Sequence, residues 1–248
     1  MLDSGTALDQ MPSGANATWT FDALTTTGAS IDNQTSPTAG EIASYPNTTN
    51  VTTSTVDATP VSKMYTVNNG NLVSVTGIES NGVQLNLTNN ATIGQFPTDF
   101  GYTNSDTMSG TYVYGTYSGN FSGTINTAED AYGILNLTID GVPSTYFVNR
   151  LKSVQNITLS YLIFPNVGTI QQTIYSYYEV GATSPIFRNS STHIVVPAQS
   201  IDTTTLLLEK FTGVLGVNEH QLSSKSLTIY PNPVENVLNF RTGHRVVN

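Results

Sequence analysis

Apolar residues recur at every second position along much of this chain, in short runs separated by Asn, Gly, Asp and Pro. That is the period of strands with one buried face. In the run Trp19-Thr20-Phe21-Asp22-Ala23-Leu24, alternation puts Trp19, Phe21 and Ala23 on one face. The single tryptophan is expected as a core anchor, with a ligand-stacking platform as the alternative. Residues 48–55 (TTNVTTST) read as an edge strand or a solvated loop. From Val61 the signals become dense. Residues 64–67 and 72–78 flank Asn68-Asn69-Gly70-Asn71, which predicts a hairpin because Asn and Gly tolerate the positive φ of tight turns. Ser80-Asn81-Gly82 precedes a further strand with Leu85 and Leu87 inward and Gln84 and Asn86 outward. Strands are also expected at 111–117, 120–126, 131–140, 145–151, 155–164, 168–180, 185–188, 193–196 and 203–210. No amphipathic helix of ten or more residues is found. The expectation is all-β, an antiparallel β-sandwich or jelly-roll-like body over residues 1–211. Residues 212–226 (TGVLGVNEHQLSSKS) read as a linker before a distinct piece at 227–248.

Composition narrows the class. Only 10% of the 248 residues are charged, against about 25% in an average domain. The polarity is carried by Thr, Ser, Asn and Gly, as in extracellular β-proteins. Disorder is the competing explanation, but 38% hydrophobic residues with 13 Tyr and 9 Phe are too many for a solvated coil. Net charge is −9, from 8 Lys and Arg against 17 Asp and Glu. This argues against nucleic acid and anionic lipid as partners, since both require clustered cations. Residues 1–210 hold 15 acidic and 5 basic side chains, whereas 211–248 hold 2 and 3. The absence of cysteine excludes disulfides, zinc–thiolate sites, iron–sulfur clusters and cysteine nucleophiles. No run approaches the roughly 18–20 apolar residues of a membrane span. Met1-Leu2-Asp3-Ser4-Gly5 has neither a basic nor an apolar signal region, so no signal peptide is expected in this chain, and a secreted protein would be present here as a mature or truncated form.

Candidate chemistry is sparse. Of His193, His220 and His244, only His193 lies in the body, and no Gly-x-Ser-x-Gly elbow accompanies it. Glycoside hydrolysis needs only two carboxylates about 5–10 Å apart. Asp99, Asp106, Glu129, Asp130 and Glu179 are the candidates, with Glu129-Asp130 read as a solvated turn at a strand entrance. No cofactor is expected. Calcium is the one ion considered, at the turn-like segments Asp140-Gly141, 68–71 and 99–106, because Ca²⁺ takes hard oxygen ligands. Two tyrosine groups, Tyr112, Tyr114, Tyr117 and Tyr175, Tyr177, Tyr178, are read as cross-strand packing or as stacking surfaces for a glycan or a protein.

The tail carries a resemblance. Leu227 and Ile229 form one face of a short strand, Pro231 and Pro233 stop ladder pairing, and Val234, Val237 and Leu238 re-enter an apolar layer. With Val217-Asn218-Glu219 before it, the segment 227–240 (LTIYPNPVENVLNF) resembles the start of the type A C-terminal sorting domain of the type IX secretion system of Bacteroidota. The segments 14–24, 130–150 and 174–188 are similar to uncharacterised secreted proteins that carry this domain. The resemblance implies an extracellular or outer-surface location and the secretion machinery as partner. It also implies a sorting motif of Tyr230, Pro231, Asn232, Pro233 and Leu238. The family domain runs through further strands, so 227–248 is expected to hold only the first strands of a small β-sandwich. For the body, the expectation is a non-enzymatic protein, adhesive or glycan-binding, with a paired-carboxylate glycoside hydrolase as the alternative.

Overall fold

A computed structural model describes residues 1–80, 82–211, 227–230 and 239–242. The chain packs as two units, Met1–Thr212 and Gly213–Asn248. The first contains β1 (Leu2–Asp3), β2 (Gly14–Thr26), β3 (Ser30–Thr35), a six-residue helix α1 (Ala39–Ser44), β4 (Asn50–Val56), β5 (Thr59–Asn69), β6 (Leu72–Ser80) and β7 (Val83–Gln95). It continues through β8 (Thr103–Tyr114), β9 (Tyr117–Ile139), β10 (Val142–Tyr161), β11 (Phe164–Glu179), β12 (Phe187–Val196) and β13 (Ile201–Lys210). In the second unit, β14 (Leu227–Tyr230) pairs antiparallel with β15 (Asn239–Thr242).

The body is all-β, as expected. Its thirteen strands form one sheet, running from β10 through β11, β12, β13, β1, β2, β9, β8, β7, β6, β5 and β4 to β3. Every neighbouring pair is antiparallel except β2–β9, which is parallel. A further pairing of β9 with β10 closes seven of the strands into a ring. The sheet therefore curls over on itself, as a β-sandwich or jelly-roll-like body does. At its far edge Asp32 of β3 reaches Arg188 of β12 (3.8 Å), which also binds Glu209 (2.6 Å).

The strands are longer than their sequence signals. Segments 120–126 and 131–140 merge into the 23-residue β9, and 145–151 and 155–164 merge into β10. Glu129-Asp130 is thus no strand entrance. It lies mid-strand at a register shift, where Arg150 pairs with Ala131 and Leu151 with Glu129, leaving Asp130 bulged out of the ladder. Consecutive residues of a strand face opposite ways. Accordingly, Val148 and Arg150 are buried on one side of β10, and Leu151, Ser153, Ile157 and Leu159 on the other. One core, built on Trp19, Phe21, Leu135, Tyr177 and Phe187, fills the closed ring. A second, built on Leu85, Met108, Tyr112, Phe121 and Ile125, lies against the other face.

The bulge is clamped by Arg150, whose side chain is 1% exposed. Its Nε and NH2 donate to the two Asp130 oxygens (2.8 and 2.9 Å) and its NH1 to the Gln10 carbonyl (3.0 Å). The guanidinium stacks between Trp19 (4.9 Å) and Tyr175 (5.0 Å). Trp19 in turn donates to the Pro12 carbonyl (3.1 Å), so the N-terminal segment is tied down by the same cluster.

Two local expectations are corrected. Ala23 is exposed with φ +60°, because a register shift in β2 between Phe21 and Leu24 turns Leu24 inward in its place. Residues 50–56 are neither an edge nor a loop, since the short polar strand β3 pairs outside them and becomes the edge. The hairpin at 64–78 forms as expected, with Gly70 at φ +61°, and Leu85 and Leu87 are buried. Asn81 lies outside the described residues.

Removing the clamp strands Asp130 and the Gln10 carbonyl. Arg150→Ala is expected to lower unfolding stability by roughly 3 kcal/mol or more in urea titrations. A loss below about 1 kcal/mol would show that the bulge holds without it.

Candidate functional site

Three places collect polar or exposed side chains, and the first was invisible in the sequence. Helix α1 opens with a capping box. The Thr38 amide donates to Glu41 Oε2 (2.9 Å) and the Glu41 amide donates to Thr38 Oγ1 (3.3 Å). Lys63 Nζ donates to Glu41 Oε1 (2.8 Å). The lysine contact first, then the Thr38 donors, hold the Glu41 carboxyl down at about 2. The helix delivers Tyr45 onto Tyr65, with ring centroids 3.9 Å apart. Both phenols donate to Glu79 Oε1 (2.9 and 3.0 Å), and burial, then this carboxylate, pushes both tyrosines up. A side chain on Gly77 would collide with the Tyr45 ring, so only glycine admits this stack. Two hollows of about 370 and 450 Å³ share Ser44, Tyr45 and Glu79. Their walls add Gln84, Asn86 and Thr111 in one and Lys63 and Glu41 in the other. Such a lining can hydrogen-bond a polar ligand. Nothing in the alternation singled it out, because Tyr45 lies outside any strand and Glu79 reads as an ordinary outward position.

The second place concerns the candidate carboxylates. The structure brings Glu129 and Asp99 together and separates the others. The Asp99 carbonyl accepts from the Tyr102 amide (3.2 Å), whose carbonyl accepts from the Glu129 amide (2.8 Å), while the Gly101 amide donates to the Glu129 carbonyl (3.1 Å). Burial, then the neighbouring Asp99 charge, pushes the Glu129 carboxyl up to about 8, partly offset by the Asp99 backbone amide. A raised acid beside a second carboxylate has the electrostatics of a hydrolase pair. Access does not follow, because Glu129 is 1% exposed and a polysaccharide cannot reach it. Asp106 accepts from the Thr92 and Thr107 amides (3.0 and 2.8 Å), Asp130 belongs to the Arg150 clamp, and Glu179 is exposed at the end of β11. His193 is hydrogen-bonded to Asp202 (2.9 Å) on the exposed faces of β12 and β13. His220 and His244 lie outside the described residues.

The other calcium candidates are turns with structural work. Asp140-Gly141 closes the β9–β10 hairpin with φ of +50° and +79°. The Asp140 carboxylate accepts from the Thr26 hydroxyl (2.6 Å) and amide (3.1 Å), which hold its carboxyl below the usual range. Residues 68–71 form the β5–β6 hairpin turn. Among the described residues no group of three or more His, Cys, Asp or Glu is placed to hold a metal.

The third place is a pair of adjoining hairpin tips. Of the two tyrosine groups, Tyr112, Tyr177 and Tyr178 are buried and Tyr175 packs on the first core, so cross-strand packing accounts for these. Tyr114 and Tyr117, flanking the β8–β9 turn, are exposed. Tyr117 packs edge to face on Tyr161 (6.0 Å) at the β10–β11 turn. There Leu162, Ile163 and Phe164 project into solvent, Ile163 at 87% exposure. Leu162 sits at φ +53°, a conformation that costs a branched side chain about 1 kcal/mol and that glycine or asparagine would adopt more easily.

Tyr230 ends β14, while Pro231, Asn232, Pro233 and Leu238 lie outside the described residues. Comparisons with protein-family profiles, with curated proteins and with solved structures match nothing.

The raised Glu129 predicts a pH slope. Its contribution to stability is fully present below the unfolded value of 4.5 and is lost as pH rises through about 8. In buffer free of divalent cations, stability should fall between pH 5 and 8. Glu129→Gln should flatten that fall, as read from urea midpoints across the range. An unchanged slope in the variant would assign it elsewhere.

Proposed function

We propose that this chain is a secreted or surface-attached, non-enzymatic protein. In this reading residues 227–240 address it to the type IX secretion machinery, and the body adheres to a glycan or a surface protein through the paired hairpin tips. The observation that carries the adhesive part is the exposed apolar surface of Tyr114, Tyr117, Leu162, Ile163 and Phe164. Soluble proteins keep contiguous apolar surface covered unless a partner uses it. The positive φ of Leu162 adds weight, because a strained, exposed leucine does nothing for the fold. Tyrosine rings with open faces suit sugar stacking, and the aliphatic tip suits a protein surface. The scarcity of charge and the Thr- and Asn-rich strands support an extracellular setting. The hydrolase alternative gains no support, since Glu129, the raised acid of the Glu129–Asp99 pair, is sealed from solvent.

The adhesive part is tested by Leu162→Gly, alone and combined with Tyr114→Ala and Tyr117→Ala. Leu162→Gly should leave the urea midpoint unchanged or raise stability by up to about 1 kcal/mol. The triple variant should lose at least tenfold in affinity for whatever glycan or surface preparation retains the unaltered chain. Equal retention by both proteins would remove the tips from the reading. Export is tested with a reporter fused to the complete C-terminal domain, with Pro231 and Pro233 replaced. Secretion should stop, and undiminished secretion would sink the role given to the motif.

A further inference from the structure

Behind the Glu129 bulge lies a set of buried polar atoms that no protein group satisfies. Asn104, Thr127 and Ser153 are register partners in one row across β8, β9 and β10. Glu129 follows Thr127 by two positions, so the two side chains share a face of β9. Both Glu129 oxygens, Thr127 Oγ1, Ser153 Oγ and Asn104 Nδ2 are inaccessible and make no hydrogen bond of normal geometry among the described residues, the Asp99 amide and the Tyr102 side chain being the polar neighbours of Glu129 and Thr127. Nor does the hydroxyl of Thr98, which precedes Asp99 in the turn bonded to the Glu129 backbone. Glu129, Thr127, Thr98 and Ser153 are each more than nine-tenths buried. Native interiors leave few such atoms, because each unmade bond costs about 1–3 kcal/mol. The five oxygens among them point to something that they bind together, in which Asn104 Nδ2, a donor, takes no part.

The charge balance suggests what that is. Glu129 and Asp99 stand together, yet the ion pairs of the described residues engage Lys63, Arg150 and Arg188 with other carboxylates. Lys210 is bonded to the Phe211 carbonyl, and Lys152 lies over Tyr175. Among the described residues the two carboxylates therefore have no ion-pair partner. Hard oxygens of mixed type, carboxylate and hydroxyl, are the ligands that calcium accepts in irregular geometry. We infer that the buried face of Glu129, Thr127 and Ser153, with the exposed Asp99 at its rim, is a calcium site with Glu129 as its central ligand. With two carboxylates only, affinity belongs in the range of extracellular modules, roughly 10⁻⁴–10⁻³ M. The site lies on the face of β10 opposite the Arg150 clamp, so calcium would brace the bulge from the second side.

The test uses the full chain and calcium chloride at matched ionic strength. Calcium at roughly 10 mM should raise the Tm of the unaltered protein by on the order of 3 °C over the same buffer with EGTA. Glu129→Gln keeps the shape and removes the charge. It should fold, and its Tm should not respond to calcium. Isothermal titration should give one site per chain, lost in the variant. A wild-type Tm indifferent to calcium would overturn the assignment and leave the polar atoms to internal water and a protonated Glu129. An equal response in Glu129→Gln, or an equal response to magnesium, would overturn it as well.

Discussion

The single extra residue at Asp130 governs how this sheet serves two cores. A strand of twenty residues such as β10 would ordinarily bury one face and leave the other to solvent. Here the shift between Arg150 and Leu151 moves the buried side from even to odd positions, so the same strand walls the closed ring at one end and the second layer at the other. The ring in turn depends on this point, because β9 carries β8 on its first half and β2 on its second, changing partner across the bulge. Gly133 permits that change. Any side chain there would collide with the Ala17 backbone, so only glycine lets the parallel strand β2 come alongside.

Electrostatics are organised around the same residues. Asp130 has an arginine held by two aromatic rings, and Glu129, one residue earlier and sealed in, has none. The sheet thus places a satisfied carboxylate beside an unsatisfied one. The first fits a purely structural part. The second is costly for a fold to retain, which is why it draws attention as a ligand position. At the other extreme of exposure, the hairpin tips leave apolar side chains in solvent where turn-forming residues would be easier to hold. A buried carboxyl without an ion-pair partner and exposed apolar hairpin tips without a cover are two departures from ordinary patterning in the described body.

Much of the architecture could be read from period-2 alternation. It located the strands at 64–78 and 83–88, the Gly70 turn, and Trp19 and Phe21 as core. It failed where the physics is not local. Ala23 was placed inward because no sequence signal marks a bulge in a strand. The strand β3, SIDNQT, has no alternation and exists because Asp32 finds Arg188 and its backbone finds β4. Glu129-Asp130 looked like a turn because charged pairs usually are. The apolar residues of 146–159 fall on both parities, Phe147 and Val154 among them, so alternation did not show the face switch.

The sequence by itself determined that this is a β-protein of low charge without thiol chemistry. It also determined that the body and the tail differ in charge balance, because composition and alternation act residue by residue. Only the tertiary structure decided which carboxylates meet, which tyrosines are covered, and that Tyr45 and Glu79 share a hollow. Those outcomes depend on the register of strands far apart in sequence, Leu2 against Leu208 among them, and register is settled by the competition of many pairings at once. A single bulge reverses the burial of everything beyond it.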